Sequence, residues 1–241
     1  MTMQVGIRAV DNSLVLASDT KWRVGEPSDS DSPVADTFVH RSKIAFAARH
    51  DIAVAMSGTG SLGDNPASDL AEFLAGQETI PKLSLLLEEW GNRLFKKQQM
   101  SDGMDQDDLK QLAFPLFTFL VVSPHSEVCF YKLRINLTSS TDLSNSFIVN
   151  GHENNPAIFW LEYIKANKPL SLDSATGIAA VTLLSGGEIN PYGVGGLEIH
   201  QWTSGRWGHF TPKQIQATEN RFAKFQKRLT QSACEMSVDR P

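Results

Sequence analysis

The chain has 241 residues, 41% of them hydrophobic and 20% charged, with a formal net charge of -5. This is the make-up of a globular protein with a substantial core, and the length favours one large domain over two small ones. The acidic balance leaves no basic footprint, which sets nucleic acid aside as a partner, because phosphate binding needs clustered Lys and Arg.

From the first residue onward, Met1-Thr2-Met3-Gln4-Val5-Gly6-Ile7-Arg8 shows no basic-then-apolar leader. No stretch approaches the roughly 18 consecutive apolar residues of a membrane span. Cys129 and Cys234 lie far apart, so neither a disulfide framework nor a zinc site is expected, and a cytoplasmic location with no membrane partner fits. Met3, Val5, Ile7 and Ala9 alternate with Gln4 and Arg8 among the others, the period-2 pattern of a strand. Asp11-Asn12-Ser13 supplies turn chemistry, and Leu14–Ala17 reads as a returning, more buried strand. The polar stretch from Gly25 to Pro33 reads as a surface loop. Ile44–Ala48 and Ile52–Met56, around Arg49-His50-Asp51, read as a second hairpin.

After Gly58-Thr59-Gly60-Ser61 the period changes. Asp64 or Asn65 suits an N-cap, with Pro66 early in a helix that runs to about Gly76. Pro81 opens a second helix, with Leu83, Leu86, Leu87, Trp90, Leu94 and Phe95 as its buried stripe. The aspartates between Met100 and Lys110 lack the ligand pattern of a calcium loop, so an exposed loop is expected. Strands are predicted at Leu116–Ser123, Val128–Ile135 and Ser146–Val149, then helices at Pro156–Ala166 and Leu172–Leu184. Leu197–Trp202 and Trp207–Phe210 form a hairpin about Ser204-Gly205, and an amphipathic helix over 212–235 follows. Blocks of strands and helices in this order argue against a doubly wound parallel sheet. They suit an α+β fold of two antiparallel sheets stacked face to face and covered by helix pairs, in one domain over 1–241.

Familiar catalytic motifs are absent: no G-x-S-x-G elbow, no Walker loop, no H-E-x-x-H, and six histidines scattered without ligand spacing. Thr2 stands directly behind the start methionine, which is normally trimmed before a small residue. A leading threonine joins a hydroxyl nucleophile to an α-amine of reference pKa about 7.7–8.0, able to take the hydroxyl proton without a histidine.

Thr2-Met3-Gln4-Val5-Gly6-Ile7, Val15-Leu16-Ala17-Ser18-Asp19-Thr20, Ser42-Lys43-Ile44 and Ile52-Ala53-Val54-Ala55-Met56-Ser57-Gly58-Thr59-Gly60 together resemble the proteasome β-subunit pattern. The resemblance is closest to a divergent bacterial branch of ancestral β-subunit type, within the N-terminal nucleophile hydrolases. It implies a four-layer αββα sandwich. It also implies Thr2 as nucleophile, Asp19 as its acidic partner, Lys43 as the essential lysine and Gly58 as the oxyanion glycine. Met56 would floor the first specificity pocket, while Arg23 and Gly60 would pair with an extended substrate. The implied activity is a threonine-type endopeptidase acting on unfolded polypeptides, assembled as a homo-oligomeric ring or helical stack, with no metal or organic cofactor. A small-amide hydrolase and an inactive scaffold subunit are the alternatives. Departures are also plain. Arg23 replaces the family's threonine, and the segment between Asp19 and Lys43 is longer than is typical. The turn expected to be rich in Ser and Gly reads Gly151-His152-Glu153-Asn154-Asn155. The stretch that helps position the threonine amine reads Asn190-Pro191-Tyr192-Gly193-Val194-Gly195-Gly196.

Overall fold

The computed structural model describes residues 2–24, 37–58, 65–102, 117–135, 139–151, 158, 161–162, 169–191 and 194–238. Two five-stranded antiparallel sheets organise them. Sheet I has the order β10-β1-β2-β11-β12, built from β1 (Met3–Arg8), β2 (Leu14–Ser18), β10 (Phe147–Gly151), β11 (Glu198–Thr203) and β12 (Arg206–His209). Sheet II has the order β5-β6-β7-β8-β9, from β5 (Ile44–Ala47), β6 (Ile52–Gly58), β7 (Phe117–Val122), β8 (Phe130–Ile135) and β9 (Ser139–Ser144). A separate ribbon pairs β3 (Lys21–Val24) with β4 (Thr37–His40). The helices are α1 (Pro66–Ala75), α2 (Leu83–Asp102), α3 (Leu172–Ile189) and α4 (Pro212–Val238). This is an α+β fold.

Alternation along the strands sorts side chains into three apolar clusters. Met3, Val5 and Ile7 of β1 join Val15, Ala17 and Ile199, and pack with Ala175, Ala179, Ala180 and Leu183 of α3. Ile52, Val54 and Met56 of β6 join Phe119 and Leu133, and pack with Leu70 and Leu74 of α1 and Leu83, Leu87 and Trp90 of α2. The remaining faces meet one another: Leu14, Leu16, Ile148 and Trp202 of sheet I lie in one cluster with Ala53, Ala55, Leu120, Val122 and Phe130 of sheet II. Both faces of β1 and β6 are therefore buried, which is why Gln4, a polar residue on an alternating strand, is 0% exposed rather than solvated.

Three strands depart from expectation. β3, β4 and β9 are strands where none is predicted. β9, Ser-Ser-Thr-Asp-Leu-Ser, lies at the edge of sheet II, where polar side chains are tolerated and discourage edge pairing. α2 continues to Asp102, into the segment read as an exposed loop, and α3 continues past Leu184 through Gly186 and Gly187 to Ile189. Asn65 does precede α1 with Pro66 at its start, yet its side chain makes no capping hydrogen bond. The helix expected over 156–166 lies mostly outside the described residues, with Ile158, Leu161 and Glu162 helical. Among the described residues no helix is long and apolar enough to cross a membrane.

Candidate active site

The antiparallel pairing of β1 with β2 sets Gln4 opposite Ser18, which brings the end of β2 beside the start of β1. Asp19 then closes a reciprocal link. Its backbone N–H donates to the Met3 carbonyl at 3.1 Å, and its Oδ1 accepts from the Met3 N–H at 2.9 Å. Oδ2 also accepts from the Lys21 N–H at 3.3 Å. One residue upstream of Met3, Thr2 is thereby held next to the carboxylate, although 16 positions in sequence separate Met3 from Asp19.

Lys43 arrives from the other sheet, in the turn that opens β5. That turn is fastened on several sides. The Arg41 N–H donates to the Thr20 carbonyl at 2.9 Å, and the Lys43 carbonyl accepts from the Met56 N–H at 3.3 Å. Ser42 Oγ donates to Glu198 Oε1 at 2.8 Å, and the same oxygen accepts from His200 Nε2 at 2.7 Å. Because Glu198 stands between Ser42 and His200, these three residues form a brace and not a nucleophile–base relay, which needs the histidine in the middle.

From this turn the lysine reaches back to sheet I. Its Nζ donates to Thr2 Oγ1 at 2.7 Å and to Asp19 Oδ2 at 2.7 Å. All three side chains are sequestered, with Thr2 7%, Asp19 0% and Lys43 2% exposed. Burial lifts the Asp19 carboxyl above its ordinary range, against the opposing pull of Lys43 and the N–H donors of Met3 and Lys21. Burial depresses the Lys43 ammonium below its ordinary range, against the pull of Asp19. With a cationic donor on Thr2 Oγ1, loss of the hydroxyl proton costs less than it would in water.

Gly58 ends β6, exposed, opposite Phe117 of β7. Two contacts bring that end of β6 toward Thr2. Gln4 Nε2 donates to the Met56 carbonyl. Gly151, paired with Met3, lies between Thr2 and Ser57: a Cβ there would stand 2.0 Å from the Thr2 carbonyl oxygen and 3.1 Å from Ser57 Oγ. Its φ of +90° is a second reason that only glycine suits the position. Gln4 is in turn fixed by Asn150, whose Nδ2 donates to Gln4 Oε1 at 2.5 Å and to the Thr118 carbonyl at 3.2 Å. Gln4, Ser57, Asn150 and the placement of Gly151 are site features that sequence reasoning missed. The signal available was polar residues inside otherwise apolar strands.

Met56 is 1% exposed and packed in the core beneath α1 and α2. Arg23 lies in β3, paired with Phe38. Gly60 lies outside the described residues, as do His152 to Asn155 and Tyr192-Gly193. The rest of the segment from Asn190 to Gly196 borders the residues after Asp19. The Thr20 N–H donates to the Gly195 carbonyl at 3.0 Å, and Lys21 Nζ donates to the Pro191 carbonyl. Gly196, with φ +70°, sits where a Cβ would come within 2.2 Å of Thr20 Oγ1. Among the described residues no group of three or more His, Cys, Asp or Glu could hold a metal ion.

No protein-family model matches the sequence, and no curated protein matches it. Solved structures do match. Anbu (Gly-1) mutant from Hyphomicrobium sp. strain MC1 aligns with a TM-score of 0.65 at 15% identity, over 97% of each chain. Anbu from the same strain aligns at 0.64 and 15% identity, over 96% of this chain and 97% of that one. Anbu (ancestral beta-subunit) from Yersinia bercovieri aligns at 0.61 and 14% identity, over 99% and 97%. At such identities the likeness is one of fold, and it extends over almost the whole chain.

Proposed function

We propose that the protein is a threonine-type endopeptidase of the proteasome kind, a single four-layer αββα domain whose N-terminal threonine hydrolyses peptide bonds of unfolded polypeptides. The observation that carries this reading is one ammonium, Lys43 Nζ, standing 2.7 Å from both Thr2 Oγ1 and Asp19 Oδ2 in a buried setting. A buried lysine, threonine and aspartate are costly to assemble unless the arrangement has a use. The fold likeness to Anbu, named in one case as an ancestral beta-subunit, supports the same class.

In this mechanism removal of Met1 frees the Thr2 α-amine. Thr2 Oγ attacks the carbonyl carbon of the scissile bond as its proton passes to that amine, and Lys43 steadies the charge on Oγ. The oxygen of the tetrahedral intermediate takes its hydrogen bond from the Gly58 N–H. Collapse breaks the C–N bond, the amine returns its proton to the leaving nitrogen, and an ester to Thr2 remains. Water, deprotonated by the same amine, attacks that ester and releases the acid product with Thr2 Oγ reprotonated. No metal or organic cofactor takes part. Met56 floors the pocket for the residue before the cut, and the strand segments at Arg23 and Gly60 pair with the substrate backbone. The working form is a cytoplasmic homo-oligomer, a ring or helical stack.

Intact-mass analysis of the purified protein, with and without a threonine-directed electrophile, tests this directly. The expected result is a chain beginning at Thr2 that gains one adduct, located on Thr2 by peptide mapping. It also cleaves fluorogenic peptides bearing an apolar residue before the cut, and the Thr2→Ala variant does neither. Retention of Met1 with no adduct points to a scaffold subunit, and adduct formation with turnover of small amides only points to an amidohydrolase. Peptide cleavage surviving in Thr2→Ala refutes the mechanism outright.

A further inference from the structure

Beyond its two oxygen partners, the Lys43 ammonium has an aromatic neighbour. The Trp22 ring centroid lies 5.4 Å from Nζ, inside the range of about 6 Å over which an aromatic face attracts a cation. Two of the three N–H bonds of the ammonium go to Thr2 and Asp19, and among the described residues the third meets no hydrogen-bond acceptor. Indole is the strongest of the aromatic faces for this purpose, and a buried cation gains more from it than an exposed one.

Trp22 is also fastened to the segment that delivers Lys43. It lies in β3, its backbone paired with Val39, and its Nε1 donates to the Arg41 carbonyl at 3.2 Å, two residues before the lysine. Its ring packs against the apolar cluster that contains Met56. Arg41 in turn donates to the carbonyl of Thr20, the residue after Asp19. One side chain is thus tied to the lysine's turn, to the core and to the ammonium itself. By contrast, the other cation over a ring in this ribbon, Lys21 at 3.9 Å from the Phe38 centroid, has its own backbone acceptor at Pro191 and takes no part in the trio.

We propose that Trp22 is a positioning residue for the reaction at Thr2, its indole face holding the Lys43 ammonium against both the threonine oxygen and the aspartate. The proposal rests on the hydrolase reading, but its physical content, an aromatic restraint on Lys43, can be read without turnover. Leucine or methionine in place of Trp22 fills the core and offers no π face, whereas phenylalanine keeps a face while losing the bond to Arg41. The Leu and Phe variants therefore separate the ring from the hydrogen bond.

The test uses the full-length processed protein as wild type, Trp22→Phe, Trp22→Leu and Trp22→Met, each checked by thermal melting. Two readouts are taken: the Lys43 Nζ resonance by nitrogen NMR, assigned from the peak lost in Lys43→Arg, and steady-state cleavage of an apolar fluorogenic peptide. Expected are a wild-type-like resonance and kcat within about twofold for Phe. For Leu and Met the expectation is a shifted or broadened resonance, with kcat down about three- to thirtyfold and KM nearly unchanged. If the Lys43 resonance is the same in all four proteins, the proposal is overturned, even where the enzyme is active. A loss confined to KM overturns it too, since that assigns Trp22 to substrate contact. If the wild type cleaves nothing but the resonance still moves in Leu and Met alone, the hydrolase reading fails and the restraint stands.

Discussion

Two buried polar networks cross between the sheets at the same end of the molecule, and they are built on different principles. One is neutral: Asn150 donates to Gln4 and to the Thr118 carbonyl, and Gln4 donates to the Met56 carbonyl. Two of its acceptors are backbone, so it reads the position of β6 and β7 relative to β1 and β10 and makes no demand on other side chains. The second is charged: Lys43 spans Thr2 and Asp19, side chain to side chain, with the carboxylate anchored on the Met3 and Lys21 N–H groups. A neutral amide bridge aligns strands at small cost. A desolvated ion pair costs several kcal/mol per charge before its mutual attraction is counted, so alignment alone is a poor reason to keep one. The contrast separates what the fold needs from what the proposed chemistry at Thr2 needs.

The sharpest break of that contrast is Lys43→Met. Losing the cation bonded to Thr2 is expected to lower kcat/KM by about 100- to 1,000-fold, the size of effect seen when one preorganised charge-stabilising donor is removed. It also leaves Asp19 buried without its counter-charge, for a loss of about 3–5 kcal/mol in urea unfolding at neutral pH. The sign of the pH dependence follows from burial, which raises Asp19 already in the wild type. Without Lys43 the carboxyl is raised further. A raised folded-state pKa means stability that is full below the unfolded value and is lost as pH rises through the folded one. Lys43→Met should therefore recover stability as the solution is made acidic, and Asp19→Asn/Lys43→Met should recover most of it at neutral pH while remaining inactive. A double variant no more stable than the single would show that the pair serves the fold after all. On the activity side, burial depresses Lys43, so the alkaline limb of the proposed activity is expected below the pH at which an ordinary lysine titrates, checked by kcat/KM against pH.

Gly151→Ala comes next, because it strikes where the networks meet. The new methyl would lie 2.0 Å from the Thr2 carbonyl oxygen, on a backbone with φ of +90°. Strain and overlap together are expected to cost about 3 kcal/mol in denaturant unfolding. Activity should fall further than stability alone explains, by about 100-fold, since relief of the overlap moves Thr2 by an appreciable fraction of an ångström. An active Gly151→Ala variant of normal stability would mean that β10 and Thr2 are less closely joined than a 2.0 Å approach requires.

How much of this was legible beforehand depended on what each residue faces. β2, β5, β6 and β7 are largely apolar on both faces and announced themselves by composition and turns, while β1 did so by its alternation and β8 by its apolar residues after a turn. β9 did not, because an edge strand can be made of serine, threonine and aspartate. Nor did β3 and β4, which stand apart from both sheets with only Trp22, Val24, Phe38 and Val39 as apolar cues. α3 runs past the expected end at Leu184 through Gly186 and Gly187, residues of poor helix propensity. In the fold Gly186 is buried, and Gly187 lies close to the Val194 carbonyl, so small residues there serve close approach. Thr2, Asp19 and Lys43 were selected through a family resemblance, and no spacing rule could have put Lys43 2.7 Å from a residue 41 positions away. Gln4 and Asn150 were missed for a definite reason: a period-2 pattern assigns polar residues to solvent, and here that face meets a second sheet.

Gln4→Leu probes the neutral network and carries the smallest expected effect. Leucine removes the donor to the Met56 carbonyl and the acceptor for Asn150 Nδ2, leaving buried groups unpaired at a cost of about 2 kcal/mol in urea unfolding. Asn150 keeps its bond to Thr118, so the strands should hold their register. The charged trio draws none of its hydrogen bonds from Gln4, so kcat is expected to drop less than tenfold, through looser placement of Gly58 two residues beyond Met56. Adding Asn150→Leu removes the bond to the Thr118 carbonyl as well, so the double variant is expected to be less stable than Gln4→Leu alone. If Gln4→Leu instead abolished activity while sparing stability, the amide bridge would belong to the chemistry, and the division between an aligning network and a reacting one would have to be redrawn.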